Sequence, residues 1–239
     1  MDYYLTPNKL FSGKKLPIEC DTAILCFCPI PKLLSQLKIA DIADRLFILL
    51  PSNLAMICEF DGKQFLVLYE IYGGPVTTSL VEELKYYGVN RIIGLGYAGS
   101  FNLNFPIATN FQVKLSLAED GTSKHYESNQ TIQNLSPLLE LDLPNMVIWT
   151  TDAIYRETKT DVLRAKAAGC DGVNIDVSHF FASSSAVKIQ CCYFGTISDM
   201  LSDDEWVNNL TDAVNHNNNL VIASQNQLLT QILDWLIKN

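Results

Sequence analysis

Between residues 22 and 197 the chain keeps switching period. Short apolar runs rich in β-branched and aromatic residues alternate with stretches whose apolar positions recur at helical spacing. A layered α/β architecture buries both kinds of face, so this alternation constrains the fold more than any single motif. Strands are expected at 22–28, 46–50, 54–60, 64–70, 91–96, 111–117, 146–150 and 189–197. The runs 54–60 and 64–70 flank Asp61-Gly62 and read as a β-hairpin. One helix is expected to start at Thr77 or Thr78 and stop at Gly88, and another to span 157–168 and close at Gly169. "DGVNIDVSHFFASSSAV" reads as a strand running into an apolar helix, and 219–237 as a long amphipathic helix. No repeat or low-complexity linker interrupts the series, so one domain over 1–239 is expected.

Composition narrows the partners. The formal net charge is −9 and the longest basic cluster is Lys14-Lys15, so the cationic stripe that nucleic acid or an anionic membrane requires is missing. No apolar run approaches the roughly 18 residues of a membrane helix, and the first residues lack a secretory pattern, which makes a cytoplasmic protein the expectation. The seven cysteines contain no C-x-x-C pair, lie mostly in apolar runs, and read as core residues of a reducing compartment. No cysteine lies at ligand spacing from His125, His179 or His216, so no metal is expected.

Residues 91–101, "RIIGLGYAGSF", space Gly94, Gly96 and Gly99 as G-x-G-x-x-G. A dinucleotide site needs a helix directly after those glycines. The chain instead continues "SFNLNFPIATNFQVKLSL", with Pro106 and then β-type residues. Gly96 and Gly99 therefore either let backbone approach an anion or nucleophile closely, or form a tight bulge at a packed strand end.

Four further stretches, in order, carry a resemblance: "GGPVTTSLVEELKYYGVNRIIGLGYAGS", "AEDGTSKHY", "TTDAIYRETKTDVLRAKAAGCDGVNID" and "GTISDML". Together they resemble the nucleoside phosphorylase superfamily, which includes uridine phosphorylase, purine nucleoside phosphorylase and related nucleosidases. The resemblance implies a three-layer α/β/α sandwich around a mixed, partly closed β-sheet. It also implies cleavage of the N-glycosidic bond of a purine-type nucleoside, with no cofactor beyond phosphate as co-substrate. Relatives of this kind assemble as homo-oligomers, so one is expected here.

By the same resemblance Asp199 contacts or protonates the base, with Ser198 beside it. The alternative for Asp199 is an N-cap for a helix beginning in "SDDEWVNNL". Asp176 would hold the ribose hydroxyls, flanked by Ile175 and Val173, although the family carries the longer glutamate there. Ile154 and Tyr155 would pack on the base, and His125 and Arg156 are further candidates near the pocket. Gly96, Tyr97, Ala98, Gly99 and Ser100 would line the phosphate or nucleophile pocket as a loop. His179 reads as a core or interface residue, and Asp152 as a helix or turn cap.

The phosphate half departs from the pattern. The early segment is "LCFCPIPKLL", with Lys32 as its single cation, and the family's second arginine position is Gly94. Three outcomes follow: a phosphorylase with an anion site rebuilt from Lys32, Arg91 or Arg156, a hydrolytic nucleosidase, or a non-catalytic relative that binds a nucleoside or serves as a scaffold.

Overall fold

Why the chain closes on itself is clearest from one strand. In the computed structural model, which describes residues 3–42, 45–134, 137–202, 205–211 and 220–239, "RIIGLGYAGS" forms β5 (Arg91–Ser100). It has neighbours on both edges. β1 (Thr22–Phe27) and β10 (Gln190–Leu201) both run parallel to it, so that Gly96 sits between Phe27 and Gly195. Its last two residues also pair with β9 (Gly172–Asn174). From β10 the hydrogen bonding continues through β6 (Asn110–Glu119) and β8 (Asn145–Thr151) back to β9. Five strands thus form a ring at one side of the sheet. The other side stays open, as β4 (Lys63–Leu68), β3 (Ala55–Phe60) and β2 (Lys38–Asp41) extend outward from β1.

The turn chemistry agrees with the sequence. Asp61 and Gly62 both take positive φ, at 49° and 77°, and join β3 to β4. Thr158 and Asp161 form a reciprocal capping box at the start of α4 (Lys159–Ala167). Here α1 is Pro7–Leu10, α2 is Lys32–Gln36 and α3 is Gly74–Tyr86. α3 begins before the expected Thr77, because Pro75 occupies its first turn, where a missing N–H costs nothing.

Two helices cover opposite faces of the sheet. With α3, α5 (Val177–Val187) packs on the face that carries Phe27, Ala98, Phe111 and Tyr193. α6 (Leu220–Lys238) packs on the face that carries Ile93, Leu95, Tyr97 and Phe194. Helices on both faces of a mixed sheet give the expected three-layer sandwich, and the ring gives its partial closure. Among the described residues no helix is long and apolar enough to cross a membrane. All seven cysteines are free thiols, and burial pushes Cys191 and Cys58 up to about 12, which keeps them inert.

Three expectations fail, each for a tertiary reason. Leu46–Leu50 is no strand. The Ile48 N–H donates to Glu83 Oε1, and the carbonyls of Leu46 and Ile48 accept from Tyr87 and Arg45, so side chains replace a ladder. "GLGYAGS" is not a loop, because β5 continues through it to Ser100. The segment after Asp199 does not open a helix at Trp206. Trp206–Asn208 is β11, which pairs antiparallel with the end of β10, and Asp203, Asp204 and His216 lie outside the described residues.

Candidate functional site

The glycines of β5 have a packing purpose. Gly94 and Gly96 are two residues apart and so share a face. Tyr193, on the neighbouring strand, lies along them. A β-carbon on Gly94 would come within 2.8 Å of the Tyr193 ring, and one on Gly96 would run into its hydroxyl. Phe27 and Phe180 close around this ring at centroid distances of 5.6 and 6.3 Å. The bed of glycine therefore holds a fully buried tyrosine whose polar tip needs partners. Asn174 Nδ2 donates to that hydroxyl at 3.2 Å, and the hydroxyl faces Asp176 Oδ2 at 3.4 Å.

Asp176 occupies the N-cap of α5, yet its side chain makes no capping bond. Asn174 does that work instead, its Oδ1 accepting from the N–H groups of Asp176 and Val177. The Asp176 carboxylate is left turned inward, 3 % exposed, with Oδ1 unpartnered. Burial pushes its carboxyl well above the usual range, against the smaller opposing effect of the Tyr193 hydrogen bond.

Asp199 sits in β10 and is also buried, but it is fully engaged. Ser198 Oγ donates to Oδ1 at 2.6 Å and Trp206 Nε1 to Oδ2 at 2.8 Å. These two bonds fix the carboxylate in place. Gly99 is tight against it, since a β-carbon there would approach Asp199 Oδ2 to 2.9 Å. The half-buried Glu157, from the segment before α4, lies in the field of this charge. Burial, then Asp199, push its carboxyl up to about 7. Glu157 thus lies within electrostatic reach of Asp199 at the end of β10.

The remaining expected residues scatter. Val173 pairs with Gly99 and is buried, Ile175 is half-buried, and Ala98 and Ser100 are buried along β5. Tyr97 points to the opposite face of the sheet, where its hydroxyl donates to Gln225 Oε1 on α6. Ile154, Arg156 and above all Tyr155, at 96 % exposure, stand out in solvent on a 3-10 turn. His125 and Lys32 are exposed as well. Arg91 is excluded from any anion site near Gly96. It lies five residues away, roughly 17 Å along the strand, and is paired to Asp21 at 2.7 Å.

Sequence reasoning passed over Glu157, Asn174 and Tyr193. Only Asn174, a polar residue between a strand and a helix, carried a local signal, that of a cap. Neither Asp176 nor Asp199 belongs to a three-donor metal-type cluster. Such a cluster among the described residues is Asp120, Asp152 and His179. Open clefts of about 990 and 420 Å³ lie elsewhere, one beside Lys14, Asp21 and Tyr87 and the other beside Gln133, Phe181 and Cys191.

Comparison with known proteins gives three results. The chain is similar to uridine phosphorylase from Vibrio fischeri, at 16 % identity, covering 95 % of this chain and 99 % of that one with a TM-score of 0.69. It is equally similar to the Campylobacter jejuni 5'-methylthioadenosine/S-adenosyl homocysteine nucleosidase, at 16 % identity, 90 % and 99 % coverage and a TM-score of 0.69. No family model matches the chain. In sequence it is 39 % identical over 243 residues to "Uncharacterized protein R802" of Acanthamoeba polyphaga mimivirus, covering 98 % of each. The chain therefore belongs to one family with that mimivirus protein and carries the fold of the nucleoside phosphorylases and nucleosidases.

Proposed function

We propose that this protein cleaves the N-glycosidic bond of a purine-type nucleoside. The observation that carries the reading is the carboxylate pair at the end of β10. Breaking that bond moves negative charge onto the leaving base, so a proton donor lowers the barrier. Glu157, pushed up to about 7, is poised to give a proton near neutrality, while Asp199, fixed by Trp206 and Ser198, accepts a hydrogen bond from the base. This divides between two residues the work that the sequence assigns to Asp199 alone. Asp176 takes the ribose, using the oxygen that has no partner. The fold it shares with enzymes named for nucleoside cleavage supports the reading.

The nucleophile is phosphate or water. Phosphate would depend on the exposed Lys32 and Arg156, since Arg91 is held by Asp21. A second reading, a non-catalytic relative that serves as a scaffold, is favoured by Tyr193. Its ring covers the Gly94–Gly96 bed and its hydroxyl faces Asp176, so the side chain must swing away before a sugar can enter.

Base release from purine and pyrimidine nucleosides, followed by chromatography with and without phosphate, tests all of this. Release that needs phosphate and yields a sugar 1-phosphate identifies a phosphorylase, and equal release without it identifies a nucleosidase. Either result predicts a rate that falls as pH rises through about 7, because Glu157 must be protonated. Glu157→Gln should lose about a hundredfold or more in kcat/KM and abolish that limb. Asp199→Asn should lose a similar factor but keep a pH dependence. No release from any nucleoside by the folded protein would sink the cleavage reading in favour of the scaffold.

A further inference from the structure

A second constellation lies apart from the two carboxylates at the end of β10. β6 and β8 run parallel with Glu119 beside Thr151, so the next residues along, Asp120 and Asp152, emerge side by side at adjacent strand ends. Two neighbouring carboxylates repel unless something positive stands between them. The group facing them is His179, from the first turn of α5, and one oxygen or nitrogen from each of the three residues falls within 4.8 Å of the others.

His179 is the telling member. Its side chain and that of Asp120 are both fully buried, yet neither imidazole nitrogen has a hydrogen-bond partner. Nδ1 stands 3.7 Å from Asp120 Oδ1, which is too long for a hydrogen bond. Buried polar atoms are almost always satisfied, and a histidine with two unpartnered nitrogens needs an explanation. A simple His–Asp pair would satisfy one nitrogen and leave the other without a partner.

Both carboxylates, by contrast, are already aimed. Asp120 Oδ1 accepts from the N–H groups of Thr122 and Ser123, at 2.8 and 2.7 Å, and Oδ2 from Ser123 Oγ at 2.6 Å. Asp152 Oδ2 accepts from the Gly121 N–H at 2.6 Å. Outer hydrogen bonds of this kind orient ligands in metal sites, and of the roughly four acceptor sites on each carboxylate Asp120 keeps one, on Oδ2, and Asp152 three.

We propose that Asp120, Asp152 and His179 form a binding site for a divalent transition-metal ion of the zinc class. The donor chemistry selects that class. One imidazole nitrogen with two carboxylate oxygens suits Zn²⁺, whereas Mg²⁺ and Ca²⁺ favour all-oxygen shells. Bringing the donors to the roughly 2.0–2.2 Å of zinc ligation takes shifts of about an ångström or less. Three protein ligands leave a fourth position open. Asp152 is exposed, so that position faces solvent and can take water or an anionic group. The site runs against the sequence-based expectation that no metal binds. That expectation rests on cysteine near histidine, whereas these ligands come together only through the ring of strands.

The test uses the full-length protein and metal content alone, so it is independent of nucleoside cleavage. Protein stripped with chelator and dialysed is titrated with Zn²⁺ by calorimetry, and bound Co²⁺ is read by its visible absorption. One equivalent per chain is expected. Asp152→Ala should weaken binding by at least about tenfold, since even outer-shell partners are worth 10–100-fold, and His179→Gln should do the same. Asp142→Asn, an exposed acid outside the cluster, should change nothing. Because His179 is buried, the folded state of its variant is checked by thermal unfolding, and if it does not fold Asp152→Ala decides alone. Failure to take up an equivalent of Zn²⁺, or uptake unchanged by Asp152→Ala, overturns the proposal.

Discussion

α5 and α6 pack on opposite faces of the same strands, and they are built on opposite principles. In α6 the buried positions Val221, Gln225, Leu228, Leu229, Ile232, Leu233 and Leu236 follow helical spacing, and the other face is wet. Its single buried polar residue, Gln225, is satisfied by Tyr97. In α5 every position from Val177 to Ser184 is buried, four of them polar. Among the described residues, buried side-chain atoms without a hydrogen-bond partner occur at five residues, and three of these, Asp176, His179 and Ser184, lie on α5 or at its cap. Leaving such atoms unpaired costs roughly 1–3 kcal/mol each. A helix that stabilises the fold can avoid that cost, whereas one that presents chemistry cannot. The contrast fits a stabilising role for α6 and the binding that is proposed for α5.

The largest effect that would sharpen this contrast belongs to α6. Ile232→Ala removes a fully buried branched side chain from the stripe that seals the second core. It should cost about 2–5 kcal/mol in denaturant unfolding, while any nucleoside turnover and Zn²⁺ uptake by the folded fraction stay at wild-type values. A change in the kcat/KM of folded protein would mean that α6 takes part in the site.

How much of this was legible in the sequence follows the range of the interactions involved. The β3–β4 turn at Asp61-Gly62, the Thr158 cap and the Gly88 and Gly169 stops are decided within a few residues, and they read directly. The run 46–50 is apolar enough to be a strand, but its backbone partners come from Glu83 on α3 and Tyr87 at its C-cap, out of sight of local pattern. Trp206-Val207-Asn208 follows an acidic cluster that imitates a helix start, and only pairing with β10 makes it a strand. The site behaves the same way. Asp176 and Asp199 could be named from the stretches they sit in. Tyr193, which lies across the glycines, acquires its meaning only when β5 and β10 pair, and Glu157 only when the segment before α4 comes within the field of Asp199.

A smaller effect tests the glycine bed itself. Gly96→Ala places a methyl group against the Tyr193 hydroxyl in a fully buried layer, with Phe27 Cβ 3.2 Å away on the other side. Overpacking of this kind should cost about 1–3 kcal/mol. Tyr193→Phe removes the clashing oxygen, so in the double variant the cost of Gly96→Ala should shrink, a coupling that a double-mutant cycle measures directly. Additive costs would show that the tyrosine does not rest on that glycine. The same Tyr193→Phe change frees Asp176 from its hydroxyl neighbour, so it also reports whether that hydroxyl restricts access to Asp176.

The smallest stability effect carries a sign that separates α5 from an ordinary buried helix. The Asp176 carboxyl is raised above its unfolded value by burial, so the folded chain holds its proton over a pH range in which the unfolded chain has released it. Below the usual aspartate range both states are protonated and the group is neutral in its effect. As pH rises from there, the unfolded state gains and wild-type stability falls. Asp176→Asn cannot titrate, so its stability relative to wild type should increase between pH 4 and pH 8, by about 1 kcal/mol or more. Without the carboxylate the variant should also hold ribose more weakly once the pH is high enough to ionise wild-type Asp176. Paired unfolding curves across that interval decide the matter. A difference that does not change with pH would mean that Asp176 is solvated, and α5 would then have no buried acid to offer a sugar.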